Sequence, residues 1–573
     1  MKDPEHSETR VRRVAWAALL VTGLLPLGLH LQFILQDRRM PRDLGNFYGN
    51  VPDFWRLIHG QQARFGPEGM PQPWDSGAWY EWVLAFWLRV TGPSGEAFRA
   101  WDLFWQAAIL LIVALGAHSL SANTPSANAP STPGDTVEPS APSRTRPLLA
   151  AAFAVALAGS MRSLVIMPRL SWIHVVEVGL VVGAAVPWLR DPTLRRGTLP
   201  TALLGALALL LRSSGLPWIL PLGLAIAVGV QGRRPDVKRL LLVGLAWLLA
   251  ALPSLLSLVD YLGPKVASRA RYAQNVAPFS QQILDLAGPV APFAALLGIA
   301  LAGRRLVGRP QALLLVWILI PVVLWAIFRA GMDNFLVGFA ALVILASLGL
   351  ARRPLLGLAL VLPGWLLLNL PRILPQVGDH PLVATALARS HLSLQPALRD
   401  IYVPYTEWGH PHLQALLDAT CPANGACVLA VDQGLLVPYS EDAGNLEAFL
   451  LDRKHPPHVY DLRGRGPSEG LTRAHALIHY DCGWQDGPWR VRFPLSLQRV
   501  QALISMQKMR TAWMAPLGQE CVVHWLTPEG KVLRDELLPS SWETPSGTVP
   551  TYEPPRGTGR ARPIRAGGLD GGG

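Results

Sequence analysis

Long apolar blocks are the feature of this 573-residue chain that most restricts what it can fold into. A helix needs roughly 20 apolar residues to cross the hydrocarbon core of a bilayer, and many of the blocks reach that length. Half of the residues are apolar and only 16% are charged, whereas about one quarter is usual in soluble domains. The composition therefore predicts a helical membrane protein.

About eleven blocks are candidate transmembrane helices, if the short neighbours 199–211 and 216–231 are counted separately. The predicted spans are 14–36, 101–120, 148–168, 170–189, 199–211, 216–231, 239–259, 285–302, 311–328, 334–351 and 355–371.

Arginine-rich loops set the predicted orientation. The N-terminal segment MKDPEHSETRVRR is basic and is placed in the cytoplasm, because Arg and Lys retained in cytoplasmic loops decide how the first span inserts. Alternating the spans then puts every dense basic loop on the same side: 190–196, 232–239, 303–310 and 351–354. This placement accounts for the net charge of +12, so no nucleic-acid partner is expected.

The residues after position 371 are predicted to lie outside the cytoplasm. All four cysteines occur there, and an even set in an exported region favours disulfides. The preferred pairs are Cys421–Cys427 and Cys482–Cys521, on the grounds of local closure; four unpaired thiols in a cytoplasmic domain are the alternative. Short apolar runs (CVLAVDQGLLV, HVYDL, ALIHYD and ECVVHWL) predict strands, and LEAFLLD and LSLQRVQALISM have helical spacing.

The predicted fold class is a polytopic α-helical membrane protein with a C-terminal extracytoplasmic α/β domain, located in the inner (plasma) membrane. The transmembrane domain is predicted at 1–371, with a disordered cytoplasmic connector rich in Ser, Pro and Ala at 121–147. The α/β domain is predicted at 372–544, and 545–573 is expected to be a disordered tail.

Charged and aromatic residues crowd the stretch that follows the first span, DRRMPRDLGNFYGNVPDF at 37–54. Its carboxylates are Asp37, Asp43 and Asp53, and carboxylates at a membrane surface are costly unless they are solvated or paired. On the predicted topology this stretch faces the exported side, which indicates a site in a polar cavity. Asp43 is the first choice, because a short turn and a predicted interfacial helix around Phe54 follow it.

A second informative stretch is PWDSGAWYEWVLAFWLRVTGPSGEAFRAWDLFW, residues 73–105. Here the chain resembles the GT-C membrane glycosyltransferases, especially the protein O-mannosyltransferase and aminoarabinose-transferase-like group. In that group an acidic residue and a Tyr commonly follow the first span, and an aromatic helix precedes a Gly-x-x-x-x-Ala-x-Arg segment. The matching features here are Asp43 with Tyr48, Trp79–Trp87, and the segment GPSGEAFR that ends at Arg99.

The resemblance extends over roughly the first 370 residues. It implies a GT-C-like fold and the transfer of a sugar from a polyprenyl-phosphate donor to an acceptor on the outer face. Such a reaction needs a base for the acceptor's proton, and Asp43 is the predicted catalytic residue. Cations must stabilise the departing phosphate. The predicted donor- and substrate-binding residues are Arg56, Arg212, Arg269, Arg271, Tyr48 and Glu177.

Several of these residues have a purely structural alternative. Asp53 is expected to cap the helix that begins FWRL. Arg212, embedded in LLLRSSG, is as well explained by a side chain that snorkels to the headgroups. Glu177 follows His174 by three residues, so the two side chains can pair on one face of a helix. Such a pair at the membrane interface is the structural alternative to lining a cavity.

The second carboxylate of the family pattern is the point at which this chain departs from it. The family frequently has an Asp-Glu pair, whereas here Leu44 follows Asp43. If a second carboxylate is essential, Asp53 or Asp37 must supply it.

Two other functions compete with sugar transfer. A transporter or flippase would need repeated halves and ionisable residues near the middle of the membrane, but the spans are nearly free of Asp, Glu and Lys. A catalytically degenerate GT-C-like envelope assembly factor would have the same sequence pattern. The predicted partners are the bilayer, a polyprenyl-phosphate-linked sugar and an unidentified glycan, lipid or protein acceptor. No cofactor and no metal ligands are assigned, and a divalent metal is left open.

Overall fold

The computed structural model describes helices over the first two thirds of the chain and a small sheet in the last third. The described residues are 4–36, 51–61, 78–123, 145–165, 173–212, 215–230, 233–272, 280, 283, 287–288, 290–303, 308–328, 336–373, 410–421, 427–432, 451, 456–461, 474–482, 509–517 and 521–528.

The helical part follows the order of the apolar blocks. Its helices are α1 (Pro4–Gln36), α2 (Val51–Ile58), α3 (Ala78–Thr91), α4 (Gly95–Asn123), α5 (Thr145–Ala158), α6 (Arg162–Val165), α7 (Ile173–Arg190), α8 (Thr198–Leu211), α9 (Leu216–Val228), α10 (Val237–Tyr272), α11 (Val290–Ala302), α12 (Arg309–Phe328), α13 (Leu336–Leu350) and α14 (Pro354–Ile373).

Helix α13 is the centre of the bundle. Every residue of its sequence LVGFAALVILASLGL is buried, as expected for a helix that is apolar on all sides. It packs against α4, α5, α7, α11, α12 and α14. Small residues permit this close approach: a Cβ added at Gly298 of α11 would lie 2.7 Å from the carbonyl oxygen of Ala346.

The outer faces of the bundle are apolar as well. Large hydrophobic side chains such as Leu111, Leu203, Leu224 and Leu248 are exposed along the helices, which fits contact with lipid rather than water. Among the described residues, four helices are long and apolar enough to cross a membrane: Arg13–Gln32, Glu96–Asn123, Ile173–Arg190 and Arg309–Ala326. The chain is therefore a multi-pass membrane protein.

Each of the eleven predicted spans overlaps a helix, but their number as true crossings stays a prediction. Of the shorter apolar helices, α8 and α9 are separate, as the sequence indicated. Helix α10 differs from its predicted span 239–259, because it continues to Tyr272 through a polar segment. At 1.5 Å per residue, its 36 residues extend about 54 Å, well beyond the roughly 30 Å of a hydrocarbon core.

Arginines from the basic loops gather at one end of the bundle, called here the arginine end. Arg309 Nη1 donates to the carbonyls of Val228 (2.9 Å) and Gly229 (2.7 Å) at the end of α9. Arg352 Nη1 donates to the carbonyls of Leu301 and Ala302, both at 3.1 Å, at the end of α11. A cation near a helix C-terminus is favourable because the last carbonyls are unpaired and carry the negative end of the helix dipole.

The described part of the last third of the chain includes α15 (His410–Thr420) and five strands in one sheet. The strands are β1 (Val428–Asp432), β2 (His458–Asp461), β3 (Ala476–Cys482), β4 (Arg510–Leu517) and β5 (Cys521–Thr527), in the order β2-β1-β3-β5-β4. β1 pairs in parallel with β2 and β3, and β5 pairs antiparallel with β3 and β4. Trp525 Nε1 donates to Thr420 Oγ1 at 3.1 Å, which holds α15 on the sheet.

The predicted Cys421–Cys427 disulfide is confirmed. Cys482 and Cys521 are direct cross-strand partners in β3 and β5, and their disulfide stays a prediction. The predicted domain boundaries also stay predictions, although the last described helix of the bundle ends at 373 and the sheet lies wholly between 428 and 527.

Candidate active site

Buried ionisable residues occur at the end of the bundle opposite the arginine end, called here the polar end. At the arginine end, Asn123 Nδ2 donates to the carbonyl of Leu189, which joins the last turns of α4 and α7. The first turns of α4 and α7 therefore lie together at the other end. The described acidic, basic and histidine residues there that are at most 6% exposed are His30, Asp53, Arg56, Glu81, Arg99, Asp102, His174 and Glu177.

Aromatic side chains hold the short helices α2 and α3 against the bundle at the polar end. Phe54 stacks on Trp82 with ring centroids 4.3 Å apart, and Trp101 Nε1 donates to the hydroxyl of Tyr80 at 2.6 Å. Trp105 packs on α7 at Gly179, where an added Cβ would lie 2.8 Å from its ring. These packed aromatics make the polar end rigid, since each ring buries a large apolar area.

Arg56 connects helix α2 to the C-terminal third of the chain. Its Nη1 lies 3.1 Å from Asp53 Oδ1, and its Nη2 donates to the carbonyl of Pro457 at 2.6 Å. Both charged side chains are almost completely buried. Arg56 was predicted to bind the donor, and that role stays a prediction, because the structure gives both Nη atoms a protein partner.

The expected capping role of Asp53 is not observed. Helix α2 begins at Val51, three residues earlier than predicted, so Asp53 lies inside the first turn rather than before it. From that position it pairs with Arg56 three residues later.

We expect Arg56→Met to lower the free energy of unfolding by about 3–5 kcal/mol, because it leaves Asp53 buried without its cation. The midpoint of denaturant unfolding of the purified protein measures this. The double variant Arg56→Met/Asp53→Leu is the matched control, and it should recover most of the loss, because neither charge remains. An unchanged midpoint in the single variant would contradict this assignment.

Helix α4 presents a polar row in its first three turns. Arg99, Asp102 and Gln106 are spaced by three and four residues, so they share one helix face. Gln106 is completely buried and its Oε1 is hydrogen-bonded to His30 Nδ1 near the end of α1. Arg99 and Asp102 each have an interaction partner, so neither side chain is isolated in the bundle.

Arg212, His174 and Glu177 are brought together by the packing of α7 and α8. Arg212 Nη1 lies 2.8 Å from His174 Nδ1 and 2.9 Å from its Nε2, and Glu177 Oε2 lies 3.8 Å from Nδ1. The guanidinium can donate only to a ring nitrogen that carries no proton, so the tautomer of His174 decides which of its two nitrogens accepts. Half-buried Arg212 is thus held by protein contacts, unlike a snorkelling arginine.

The other predicted site residues are less defined. Asp43 and Tyr48 lie outside the described residues. Arg269 and Arg271 lie in the last turns of α10, in the part that exceeds the thickness of a bilayer. Their backbone places them in a helix and not in the predicted loop, and nothing is assigned to their side chains.

Glu81 and the row on α4 are buried charged positions that the sequence did not single out. Arg99 was noted only as the end of GPSGEAFR, and Asp102 was given no role. The spacing of Arg99, Asp102 and Gln106 at the start of an otherwise apolar helix could have indicated this buried polar row from the sequence. Across the residues that the structure describes, no group of three His, Cys, Asp or Glu is placed to hold a metal ion.

The chain was compared with known proteins. No protein-family model and no curated protein matches it. The fold is similar to ArnT from Cupriavidus metallidurans bound to undecaprenyl phosphate, with a TM-score of 0.47 and 14% identity over 91% of this chain and 98% of ArnT. ArnT is a GT-C aminoarabinose transferase, a member of the group that the sequence resembles.

A second similar structure is the Archaeoglobus fulgidus oligosaccharyltransferase in complex with Zn and sulfate. Its TM-score is 0.38 with 12% identity, and the match covers 77% of this chain and 62% of that protein. Both TM-scores are below 0.5.

Proposed function

We propose that this protein is a membrane glycosyltransferase that moves a sugar from a polyprenyl-phosphate donor to an acceptor on the extracytoplasmic face. The observation that carries the proposal is the concentration of buried ionisable groups at the polar end of an otherwise apolar bundle. Charged groups inside a membrane protein are costly, and they typically mark sites that bind charged or polar substrates.

The polar end has the charges that this reaction needs. The acceptor oxygen attacks the anomeric carbon while the bond from that carbon to the phosphate oxygen breaks, and the electron pair leaves with the phosphate. Arg212 at the end of α8 is the proposed cation for that phosphate, since His174 fixes its position. Asp43 is the proposed base that takes the acceptor's proton.

The remaining predicted residues keep supporting roles in this proposal. Glu177 orients His174, and Tyr48, Arg269 and Arg271 are proposed contacts of the donor. Arg56 holds the C-terminal domain next to the entrance of the site through Pro457.

The direct test is an assay of the purified protein in nanodiscs with a panel of polyprenyl-phosphate sugars. Release of the free polyprenyl phosphate is followed by thin-layer chromatography or mass spectrometry, with empty nanodiscs as the blank. We expect one donor to be consumed in preference to the others. Equal and negligible turnover of every donor and acceptor pair would count against the proposal.

The proposed orientation predicts which loops an impermeant thiol reagent can reach in intact cells. Thr91 is exposed at the polar end and Arg196 at the arginine end. Thr91→Cys should therefore react in intact cells, whereas Arg196→Cys should react only after permeabilisation. Wild-type protein gives the background from its own cysteines, and the reverse labelling pattern would refute the orientation.

A further inference from the structure

Carboxylates are scarce at the arginine end of the bundle. Among the side chains that the structure describes there, the carboxylates are those of Asp191 and Asp236. Asp191 accepts from Thr193 Oγ1 at 2.6 Å and from the backbone N–H of Arg195 at 3.1 Å. Asp236 lies 3.3 Å from Arg239 Nη1. Both carboxylates are thus engaged within their own loops, and neither neutralises the arginines that other loops contribute.

Two of those arginines lie close to each other: Arg146 at the start of α5 and Arg352 between α13 and α14. Partial burial and the charge of Arg352 both lower the pKa of Arg146, which precedes the predicted span 148–168 by two residues. Helix packing brings the two together, because α5 contacts both α13 and α14, and a Cβ added at Gly357 would lie 2.8 Å from Phe153 Cζ. Among the described side chains, no carboxylate is paired with either guanidinium.

Both arginines are placed to bind an anion. Arg352 is fixed through one nitrogen, since its Nη1 donates to the carbonyls of Leu301 and Ala302 at the end of α11. A guanidinium has five N–H donors in a planar fork, so a group fixed in this way can still donate to a phosphate. Arg146 is half-buried, and a charge that is partly removed from water interacts more strongly with an anion than a fully exposed charge does.

An exposed apolar row on α14 begins next to these arginines. Leu355, Leu358 and Leu362 are 84%, 52% and 40% exposed, and their spacing of three and four residues places them on one side of the helix. Leu355 follows Arg352 by three residues, so the row leads from the two arginines along the bundle. A lipid has the same order of groups, with a charged headgroup followed by apolar chains, whereas a soluble anion would match only the arginines.

We infer that Arg146, Arg352 and the leucine row of α14 form a binding site for an anionic phospholipid. The lipid phosphate lies between the two guanidiniums, which give it charge-assisted hydrogen bonds, and the acyl chains lie along α14. Basic pockets between transmembrane helices bind anionic headgroups, and on the predicted orientation this site meets the anionic cytoplasmic leaflet. The lipid would join the start of α5 to the start of α14. Because the site is at the end opposite the proposed active site, the inference does not depend on sugar transfer.

The test measures lipid binding to the full-length purified protein in detergent by native mass spectrometry. Phosphatidylglycerol is the anionic probe, and phosphatidylcholine with the same acyl chains is the comparison without net charge. We expect wild type to bind phosphatidylglycerol at least tenfold more tightly, and Arg146→Gln/Arg352→Gln to lose that preference. Arg195→Gln/Arg196→Gln is the matched control, because it removes the same charge from exposed positions at the same end. It should keep the preference.

Two single variants locate the site. Arg146→Gln keeps the contacts of Arg352 with α11, so it should lose part of the preference with an unchanged melting temperature in lipid-free detergent. Arg212→Ala should keep the preference, which separates this site from the proposed donor site. Equal affinity of wild type for the two lipids would overturn the inference, and so would an equal loss in Arg195→Gln/Arg196→Gln. Displacement of the lipid by an excess of inorganic phosphate would also overturn it, because the apolar row would then contribute nothing.

Discussion

Asp43→Asn is expected to reduce sugar transfer by a factor of about 10²–10⁴, the usual contribution of a positioned general base. The amide is nearly isosteric with the carboxylate but cannot accept the acceptor's proton, so the chemical step slows while the lipid donor still binds. The measurement is the rate of polyprenyl-phosphate release at saturating donor, comparing the variant with wild type in nanodiscs. Because Asp43 precedes α2, folding and membrane insertion should be unaffected.

The matched control is Asp236→Asn. Asp236 is an exposed carboxylate at the arginine end, where it lies 3.3 Å from Arg239. Its removal should leave the transfer rate unchanged, since surface ion pairs contribute little and this one lies at the opposite end of the bundle. Full transfer by Asp43→Asn would show that Asp43 is not the base. Among the described buried carboxylates, Glu81 and Asp102 would then be the first candidates for that role.

Arg212→Ala is expected to lower kcat/KM for the lipid donor by about 10²–10³, because a preorganised cation stabilises the charge that develops on the leaving phosphate. Arg212→Lys should recover only part of this loss, since an ammonium group cannot reproduce the planar guanidinium that meets His174. If Arg212 only snorkels to the headgroups, Arg212→Lys should transfer sugar as well as wild type, because a lysine reaches the headgroups equally well. Transfer kinetics with varied donor concentration separate the two.

Arg353→Ala is the control for this series. Arg353 is an exposed arginine at the arginine end, so its removal changes the net charge by the same amount without touching the polar end. His174→Phe extends the test, because it removes the acceptor that positions Arg212 while it keeps a ring in α7. It should reduce kcat/KM in the same direction as Arg212→Ala, but by less, since the guanidinium itself is retained.

Much of the helical fold could be predicted because one physical rule dominates it. Apolar runs of the right length must become helices in lipid, and arginines must stay out of the lipid. The prediction failed where that rule no longer applies, as in the last turns of α10, whose polar residues prolong the helix beyond the membrane. Strand β4, RTAWMAPL, was missed because it lacks a clean alternation and its pairing with β5 is shifted between Thr511 and Trp513.

The site could be predicted only as a list of residues. The contact between Arg212 and His174 depends on how α7 packs against α8, and Arg56 meets a carbonyl 401 residues further along the chain. No local pattern contains such information. Asp53 was predicted to have a structural role as a helix cap. In the structure it pairs instead with Arg56, three residues further along the same helix.

The most direct measurement of the central claim is the affinity of the wild-type protein for a polyprenyl phosphate compared with the matching polyprenol, by native mass spectrometry. The two lipids differ only in the phosphate, so the comparison isolates the contribution of the cations at the polar end. We expect at least tenfold preference for the phosphate in wild type and in Arg353→Ala, and its loss in Arg212→Ala. Equal affinity of wild type for both lipids would contradict a lipid-phosphate site at this end of the bundle.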